Sequence, residues 1–555
     1  MKNYVLGIDF GTLSGRALVV DASNGREVAD EEFVYRHAVI EKTLPGHKVR
    51  LEPDTALQDP QDWLTVLTKA VPAAIAKAKI KPEQIAGIGI DFTCSTPLPT
   101  LADGTPLCFD KSLRSDSHSW PKLWKHHAAQ PEADRINEVG RRRNEHFVEV
   151  YGGKYSSEWF FAKLLQVVND SPKIYEAMDR WIEACDWIVW QMTGQERRCL
   201  CSAGYKAMWV YPYGDGWAYP SHDFFRELHP YLGNVIDEKL DCDLLPLGAS
   251  AGKLSPSMAK AMGLPAGIPI ASGNVDAHAA VPACSVTTPG KLVMIMGTST
   301  CNLLLGDDYH PVEGMCGTVK DGVVPGYWGY EAGQSAVGDI YGWYVNQAVN
   351  PASIGLAADA PAGEVHKQLS KMAGELKVGE SGLLALDWWN GNRSVLVDAN
   401  LSGCLFGLNL NTTPAEIYRA LIESTAFGQR RIVDAFVGQG LPVEELYACG
   451  GLATKNPVLM QIYADVIGRP IYVADSKQTC ALGAAMHAAV AAGLYADIHA
   501  AAKAMAKIRK EPFEPHDGNH AAYDKLYGEY TRLHDLLGRH HIPTMKTLKS
   551  LRRGE

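Results

Sequence analysis

Short, nearly uninterrupted apolar runs recur along the chain, and each one ends in a polar turn that contains glycine. The first runs from Tyr4 to Phe10, and a second, 17–20, follows the turn at 11–16. Runs of this length between turn residues are typical of β-strands. Asn24-Gly25 then predicts a second hairpin turn. The chain is therefore expected to open with a meander of strands.

The same plan returns further along the chain. Residues 85–91 form another apolar run that continues into Phe92, so that Gly-Ile-Asp-Phe occurs both at 7–10 and at 89–92. A third unit, 291–300, again joins an apolar strand to a Gly-Thr turn. Because such a unit stands near the start of each half of the chain, the pattern predicts two related domains.

Apolar residues at helical spacing fill the segments between the strands. This spacing predicts helices over 62–79 and 414–436, and the alanine-rich run 481–492 predicts a closely packed helix. Thr413-Pro414 followed by Glu416 is a helix-start signal. Strands that alternate with helices indicate an α/β protein whose crossover helices cover the sheets.

Composition narrows the class of protein. The 555 residues carry 53 Lys and Arg against 63 Asp and Glu, and the net charge of −10 argues against a general nucleic-acid binder. A hydrophobic fraction of 46% is typical of a globular chain and excludes a disordered or collagen-like one. No apolar run reaches the roughly 18 residues that a membrane span needs. The apolar start, Met1–Leu6, is too short for a signal peptide.

The twelve cysteines are spread along the chain. Cys199 and Cys201 are the closest pair, and no C-x-x-C pair completes a zinc site. Free thiols in this pattern are typical of a reducing compartment, so we expect a cytoplasmic protein.

Three familiar nucleotide-binding signatures are absent or out of place. Asp9-Phe10-Gly11 matches the protein-kinase triplet, but it stands before every motif that should precede it. The segment 248–253 lacks the spacing of a P-loop. Gly87-Ile88-Gly89 meets Phe92 where a dinucleotide-binding fingerprint requires its third glycine. The large classes defined by these loops are therefore disfavoured.

The hairpin at 7–12 nevertheless suits the phosphates of a nucleotide. A turn at Gly11 exposes backbone N–H groups that can point at an anion, and the Thr12 hydroxyl can join them. Because a carboxylate repels phosphates, Asp9 at this place implies a Mg²⁺ ion between them, held through water. A plain hairpin with a capping aspartate is the alternative.

Three later segments add candidates of the same kind. Gly297-Thr298 forms a second candidate phosphate turn. Gly450-Gly451 follows a predicted strand, 445–449, and lets a flat ligand approach the backbone, unless it is an ordinary strand-to-helix loop. Asp276 lies among glycine and small residues at the predicted domain junction, where it serves either chemistry or as the N-cap of a helix.

Together these motifs resemble those of the FGGY family of carbohydrate kinases. The likeness runs from residue 4 to about 495 and rests on the order and spacing of the hairpin, the Asp276 segment, the Gly297-Thr298 turn and the Gly450-to-Asn456 loop. Within the family, the segments 89–99, 202–209 and 329–335 point to a ketopentose kinase. Ser95-Thr96-Pro97 stands where glycerol kinases carry an Arg-Glu pair, which disfavours glycerol.

The resemblance implies two actin/Hsp70/sugar-kinase-like domains, ribonuclease H-like in fold, with a cleft between them. Residues 1–286 would bind the sugar, 287–495 would bind the nucleotide, and 496–555 would form a C-terminal extension. The implied activity is ATP-dependent phosphorylation of L-ribulose at O5, in L-arabinose catabolism. Xylulose, rhamnulose or glycerol are the alternative acceptors, and an actin/Hsp70-like ATPase without kinase activity is the alternative class.

The resemblance also implies roles for single residues. Asp276 would be the general base and Asp9 the second catalytic carboxylate, both beside Mg²⁺. The residues implied for ATP are Gly11, Thr12, Gly297, Thr298, Gly450, Gly451 and Asn456, and those for the sugar are Ser95, Thr96, Lys206, Asp276 and Glu331. Trp209, Trp328 and Tyr330 either wall the pocket or belong to the core. The expected partner is a small sugar, with neither nucleic acid nor membrane, and a homodimer is allowed.

Overall fold

The structure is a computed structural model that describes residues 4–211, 216, 218–540 and 542–553. The first half of the apolar start, Met1 to Asn3, lies outside the described residues. Within these residues the chain forms two six-stranded sheets. From edge to edge, the N-terminal sheet contains Arg26–Val34, Ser14–Asp21, Tyr4–Phe10, Ile85–Phe92, Pro269–Ala271 and Ser250–Lys253. The C-terminal sheet contains Gly317–Lys320, Trp328–Gln334, Thr300–Gly306, Gly290–Met296, Val443–Cys449 and Ile471–Val473.

The two sheets share one plan. In each, three neighbouring strands pair antiparallel to one another. The first of these three strands then pairs in parallel with a later one: Tyr4–Phe10 with Ile85–Phe92, and Gly290–Met296 with Val443–Cys449. This common plan confirms the prediction of two related α/β domains of the actin/Hsp70 type.

The remaining elements surround these sheets. Short strand pairs join Pro97–Thr100 to Arg180–Glu183, Arg198–Cys199 to Leu244–Leu245, and Leu384–Leu386 to Cys404–Phe406. The α-helices are Pro60–Thr65, Val71–Ala78, Gln130–Arg143, Phe147–Val150, Phe160–Asp170, Pro172–Ala177, Ala184–Thr193, Leu200–Lys206, His222–Leu228, Pro256–Met262, Asp276–Ala283, Gly338–Gln347, Ala362–Glu375, Pro414–Gly438, Gly451–Lys455, Pro457–Ile467, Thr479–Ala491, Ile498–Met505, Asp517–Gly538 and Thr544–Arg553.

The predicted helices are present, with shifted ends. The helix predicted over 62–79 begins at Pro60 instead, because the Asp59 side chain accepts a hydrogen bond from the Gln61 N–H, and a π-helical turn interrupts it at Val66–Ala70. The helix predicted over 414–436 runs to Gly438 and begins with the expected capping box between Thr413 and Glu416.

The C-terminal extension covers the C-terminal domain. Its helix Asp517–Gly538 buries Tyr523, Tyr527 and Tyr530 in the hydrophobic core beside the C-terminal sheet. The Tyr523 hydroxyl donates a hydrogen bond to Glu423 Oε1 at 2.9 Å, which fixes the extension to the long helix Pro414–Gly438.

Two helices fill the space between the sheets: the base helix, Asp276–Ala283, and the crossing helix, Thr479–Ala491. Glycines allow their close approach. A Cβ atom at Gly7 or Gly89 would lie 1.9 or 2.0 Å from a carbonyl oxygen of the crossing helix, and one at Gly483 would lie 1.7 Å from Ala279 O of the base helix. The glycine of each Gly-Ile-Asp-Phe segment is therefore a contact point for the crossing helix.

The sequence predicts that the chain has no membrane span and that its cysteines are free. Among the described helices, none combines the length and the apolar character that crossing a membrane requires. All twelve cysteines lie in the described residues and carry free thiols.

We predict that Gly483→Ala destabilises the protein. The added methyl group has no room beside Ala279 O, and overpacking of this kind typically costs about 1–3 kcal/mol. Gly342→Ala is the matched control, because Gly342 also lies inside a helix but has no atom within 4 Å of the added methyl. Thermal unfolding measures the effect. Equal melting temperatures for the two variants would contradict the close-packing interpretation.

Candidate active site

A cavity of about 830 Å³ lies in the cleft between the two domains. The N-terminal domain contributes Thr12, Ser95 and Lys206 to its wall, and the C-terminal domain contributes Thr298 and Glu331. Asp276, on the base helix, lies on the same wall. The fold thus brings together predicted residues that are as much as 319 positions apart in the sequence, from Thr12 to Glu331.

Asp276 is the first residue of the base helix. Val275 occupies the N-cap position, and the Asp276 carboxylate accepts a hydrogen bond from the adjacent Ala277 N–H at 2.7 Å. The side chain therefore faces the cavity and does not serve as the N-cap. Burial, together with the nearby Asp9 carboxylate, raises the pKa of Asp276 to about 7. A pKa close to the working pH suits a general base.

Asp9 and Asp91 occupy paired positions on neighbouring parallel strands. Arg16 Nη1 lies 3.3 Å from Asp9 Oδ2, so Asp9 has a cationic neighbour. Asp91 is fully buried, and neither of its oxygens has a hydrogen-bond partner among the described residues. Burial and the adjacent Asp9 carboxylate raise the pKa of Asp91 well above its usual value, which favours the uncharged form of Asp91.

In each of the two Gly-Thr turns, the glycine N–H donates a hydrogen bond to a backbone carbonyl two or three residues further along the chain. The Gly11 N–H donates to Ser14 O and the Gly297 N–H donates to Ser299 O, both at 2.9 Å. These glycine N–H groups close the hairpins. The threonines of both turns, Thr12 and Thr298, line the cavity.

The Gly450-Gly451 loop lies outside the cavity wall, beside the second turn. Gly450 has φ +92°, and a Cβ atom there would lie 2.4 Å from Met296 O at the end of the neighbouring strand. At Gly451, by contrast, no atom lies within 4 Å of a Cβ position. The Asn456 side chain accepts a hydrogen bond from the Leu459 N–H and donates to Ser370 Oγ, so it caps the helix Pro457–Ile467.

Lys206 and Glu331 form a buried ion pair that joins the two domains across the cavity. Lys206 Nζ donates to both carboxylate oxygens, at 2.8 and 3.0 Å, and His278 Nε2 lies 3.2 Å from Glu331 Oε2. Burial alone would raise the pKa of Glu331, but Lys206 and His278 hold it at about 2. Burial would also lower the pKa of Lys206, but Cys94 and Glu331 raise it well above its usual value. Both groups are therefore ionised at neutral pH.

Of the predicted Ser95-Thr96 pair, only Ser95 faces the cavity. Thr96 is fully buried behind it: its N–H donates to Glu183 Oε2 at 2.9 Å, and its hydroxyl lies 3.2 Å from Thr93 Oγ1. Thr96 therefore lies in a supporting position, one layer behind the wall.

The aromatic side chains on the cavity wall are Trp124, Tyr155 and Trp159. Lys206 Nζ lies 5.2 Å from the centre of the Trp159 ring. The three aromatic residues singled out in the sequence lie elsewhere: Tyr330 is in the C-terminal core, Trp209 contacts Tyr219, and Trp328 contacts Tyr309.

A second ion pair lies on the cavity wall, where Arg393 Nη2 lies 3.3 Å from Glu158 Oε1. Sequence reasoning missed this pair, as it missed Asp91. Arg393 lies in a loop without a recognisable motif, and only the fold brings it to Glu158. For Asp91 a signal did exist, because the repeated Gly-Ile-Asp-Phe places an acid in register with Asp9.

Two domains of this plan, with paired Gly-Thr turns and a cleft between them, define a protein of the actin/Hsp70/sugar-kinase-like fold. Residues 4–282 match the N-terminal domain and residues 292–492 the C-terminal domain of the FGGY family of carbohydrate kinases. The chain belongs to the FGGY family of carbohydrate kinases. Its enzymatic class is therefore that of a phosphotransferase acting on a sugar hydroxyl.

Individual relatives and solved structures agree with this assignment. The chain is 54% identical to a protein named Ribulokinase from Geobacillus thermodenitrificans, over 99% of this chain and 97% of the relative. It is 49% identical to a Ribulokinase from Mycolicibacterium smegmatis, over 99% and 96%. Its fold is similar to that of xylulose kinase from Rhodospirillum rubrum, with a TM-score of 0.76, 20% identity and coverage of 96% and 99%. It is also similar to Plasmodium falciparum glycerol kinase with ADP, with a TM-score of 0.73, 16% identity and coverage of 96% and 98%.

Proposed function

We propose that this protein transfers the γ-phosphoryl group of ATP to O5 of L-ribulose, a step of L-arabinose catabolism. Relatives named Ribulokinase, up to 54% identical over 99% of the chain, support the choice of sugar. The observation that carries the chemistry is the half-buried Asp276 carboxylate, which lies on the wall of the interdomain cavity and has a pKa of about 7.

Asp276 is proposed as the general base. Its carboxylate accepts the proton of the terminal hydroxyl as that oxygen attacks the γ-phosphorus. The new O–P bond forms while the bond from phosphorus to the β–γ bridging oxygen breaks, and ADP leaves with that electron pair. Because the transfer needs little covalent chemistry from the protein, positioning and charge neutralisation supply most of the rate.

The Asp9 and Asp276 carboxylates suit a divalent cation. They offer the oxygen ligands that Mg²⁺ prefers. Among the described residues, no three Asp, Glu, His or Cys side chains are arranged to bind a metal ion by themselves. Asp9 and Asp276 would therefore hold Mg²⁺ through water and the nucleotide's own oxygens. When bound, the ion supplies positive charge that neutralises the phosphates.

The remaining predicted residues divide between the two substrates. Thr12 and Thr298 are proposed to bind phosphate oxygens, at turns whose geometry Gly11 and Gly297 set. Gly450 and Gly451 are proposed to face the adenosine, with Asn456 fixing the loop behind them. For the sugar, Ser95, Lys206 and Glu331 are the proposed contacts, and Thr96 supports Ser95 from behind.

Several finer statements belong to the same proposal. Twelve free thiols favour the cytoplasm as its compartment. We also propose that the protein can form a homodimer, that its N-terminal domain ends at residue 286 and that its C-terminal domain ends at residue 495. The second candidate function is the phosphorylation of another sugar or polyol, since the fold is similar to that of xylulose and glycerol kinases as well.

We predict that Asp276→Asn lowers kcat by about 10²–10⁴, because the amide cannot accept the proton. The variant should still bind ATP, since the proposed adenosine loop lies apart from the base helix. Asp186→Asn is the control: the pKa of Asp186 is also raised, to about 8, but Asp186 lies outside the cavity wall. A coupled ADP assay measures both variants. Wild-type turnover by Asp276→Asn would remove Asp276 from the mechanism.

We predict that Gly451→Val raises KM for ATP and leaves KM for the sugar unchanged. Because no atom of the protein lies within 4 Å of a Cβ atom at Gly451, we attribute the expected loss to the ligand that shares this space. Gly363→Val is the control, because Gly363 also lies in the first turn of a helix with no atom within 4 Å of its Cβ position. If the sugar KM rises instead, this loop belongs to the sugar site.

The substrate assignment is tested by kcat/KM for L-ribulose, D-ribulose, D-xylulose, L-rhamnulose and glycerol. A site that hydrogen-bonds particular hydroxyls rejects a molecule that lacks one of them, because its own buried polar groups are left unpaired. We expect L-ribulose to lead, with some tolerance among ketopentoses and poor use of glycerol. A lead of about tenfold for D-xylulose or glycerol, which corresponds to about 1.4 kcal/mol, would contradict L-ribulose as the substrate. ADP release that no sugar stimulates would contradict the kinase itself.

A further inference from the structure

The peptide group between Ser95 and Thr96 is held from both sides by buried ionisable side chains. Lys163 Nζ donates a hydrogen bond to Ser95 O at 2.7 Å, and Glu183 Oε2 accepts one from the Thr96 N–H at 2.9 Å. A lysine and a glutamate thus bind the two polar atoms of a single peptide group. The planarity of that group transmits both bonds to the orientation of the whole unit.

Neither side chain lies on the cavity wall. Lys163 is 0% exposed and Glu183 is 4% exposed. Burial lowers the pKa of Lys163 to about 7 and raises that of Glu183 to about 7, and the charge of each opposes the shift of the other. Charged groups are costly to bury unless they are paired and hydrogen-bonded. Two ionisable side chains whose burial is energetically unfavourable therefore lie directly behind the loop that carries Ser95.

The same loop has a strained backbone. Ser95 has φ +54°, in the left-handed region that a serine rarely adopts, and its hydroxyl donates a hydrogen bond to Glu158 O at 2.8 Å. Strain of this kind persists only where the surroundings determine the conformation by several contacts at once. Here the contacts are those of Lys163, Glu183 and Glu158, and their result is that Cys94 and Ser95 face the cavity.

We propose that Lys163 and Glu183 are positioning residues for the sugar, which fix the Ser95–Thr96 peptide group and so hold the wall against which the ketose binds. This inference rests on the proposed function, because it assumes that the sugar occupies the cavity. It assigns a role to two residues that touch neither sugar nor nucleotide. It also explains why Thr96, one layer behind the wall, belongs to the same unit as Ser95.

The first test is the paired variant Lys163→Met/Glu183→Gln, which removes both charges and leaves no lone buried ion. We expect KM for the sugar to rise by about tenfold or more, while KM for ATP stays within about twofold of its original value. Lys122→Met is the matched control: Lys122 is equally buried, but its ammonium contacts His118 rather than the peptide group. A sugar KM that does not exceed that of the control, or a parallel rise in both KM values, overturns the proposal.

A second test separates positioning from general stability by measuring Lys163→Met with and without Ser95→Gly. Glycine adopts a positive φ without strain, so Ser95→Gly should make the loop less dependent on its support. We therefore expect Lys163→Met to raise the sugar KM several-fold less in the Ser95→Gly background than in the unaltered chain. Equal increases in the two backgrounds overturn the proposal. If the paired variant does not fold, this cycle and the single variant Glu183→Gln together decide. Glu183→Gln keeps an acceptor for the Thr96 N–H and should leave the sugar KM nearly unchanged.

All of these measurements use the sugar that the unaltered protein phosphorylates best. If that sugar is not L-ribulose, the proposed substrate is wrong, but the ratio of KM values still tests Lys163 and Glu183. If L-ribulose leads and the ratios do not change, only the positioning role is wrong. The two failures are therefore distinguishable.

Discussion

The proximity of three carboxyl groups, two on neighbouring strands and one on the base helix, is the constraint on which the site depends. Asp9 and Asp91 are paired close to Asp276, and burial together with the nearby Asp9 carboxylate raises the pKa values of Asp91 and Asp276. The base helix holds Asp276 in place, and Gly483 allows the crossing helix to approach the base helix closely. Backbone packing and active-site electrostatics are thus two aspects of one arrangement.

Charge pairs across the cleft make the two domains act on one cavity. Lys206 and Glu331 come from different domains, as do Glu158 and Arg393. Such a buried pair is strongly destabilised when one partner is removed, because the other charge is then left without compensation. The same contacts that line the cavity therefore also hold the two domains together.

Much of the fold could be predicted from the sequence, because strands, hairpin turns and helix starts are local signals. The repeated strand-turn units, the capping box at Thr413 and the position of Asp276 are all of this kind. The misses share a different cause. Arg393, Lys163 and Glu183 act through partners distant in the chain, and an isolated lysine or glutamate in a sequence does not reveal its burial. The aromatic wall was missed for the same reason, because which tryptophans face the cavity depends on how the two domains meet.

In the proposed reaction, the cavity presents a terminal sugar hydroxyl to Asp276 for phosphorylation by ATP. The most direct test is to identify the product formed from L-ribulose and ATP by ¹³C and ³¹P NMR. We expect a single phosphomonoester whose phosphorus couples to C5, with one ADP formed for each molecule of ester. Phosphate on O1, or inorganic phosphate released without a sugar ester, would contradict it.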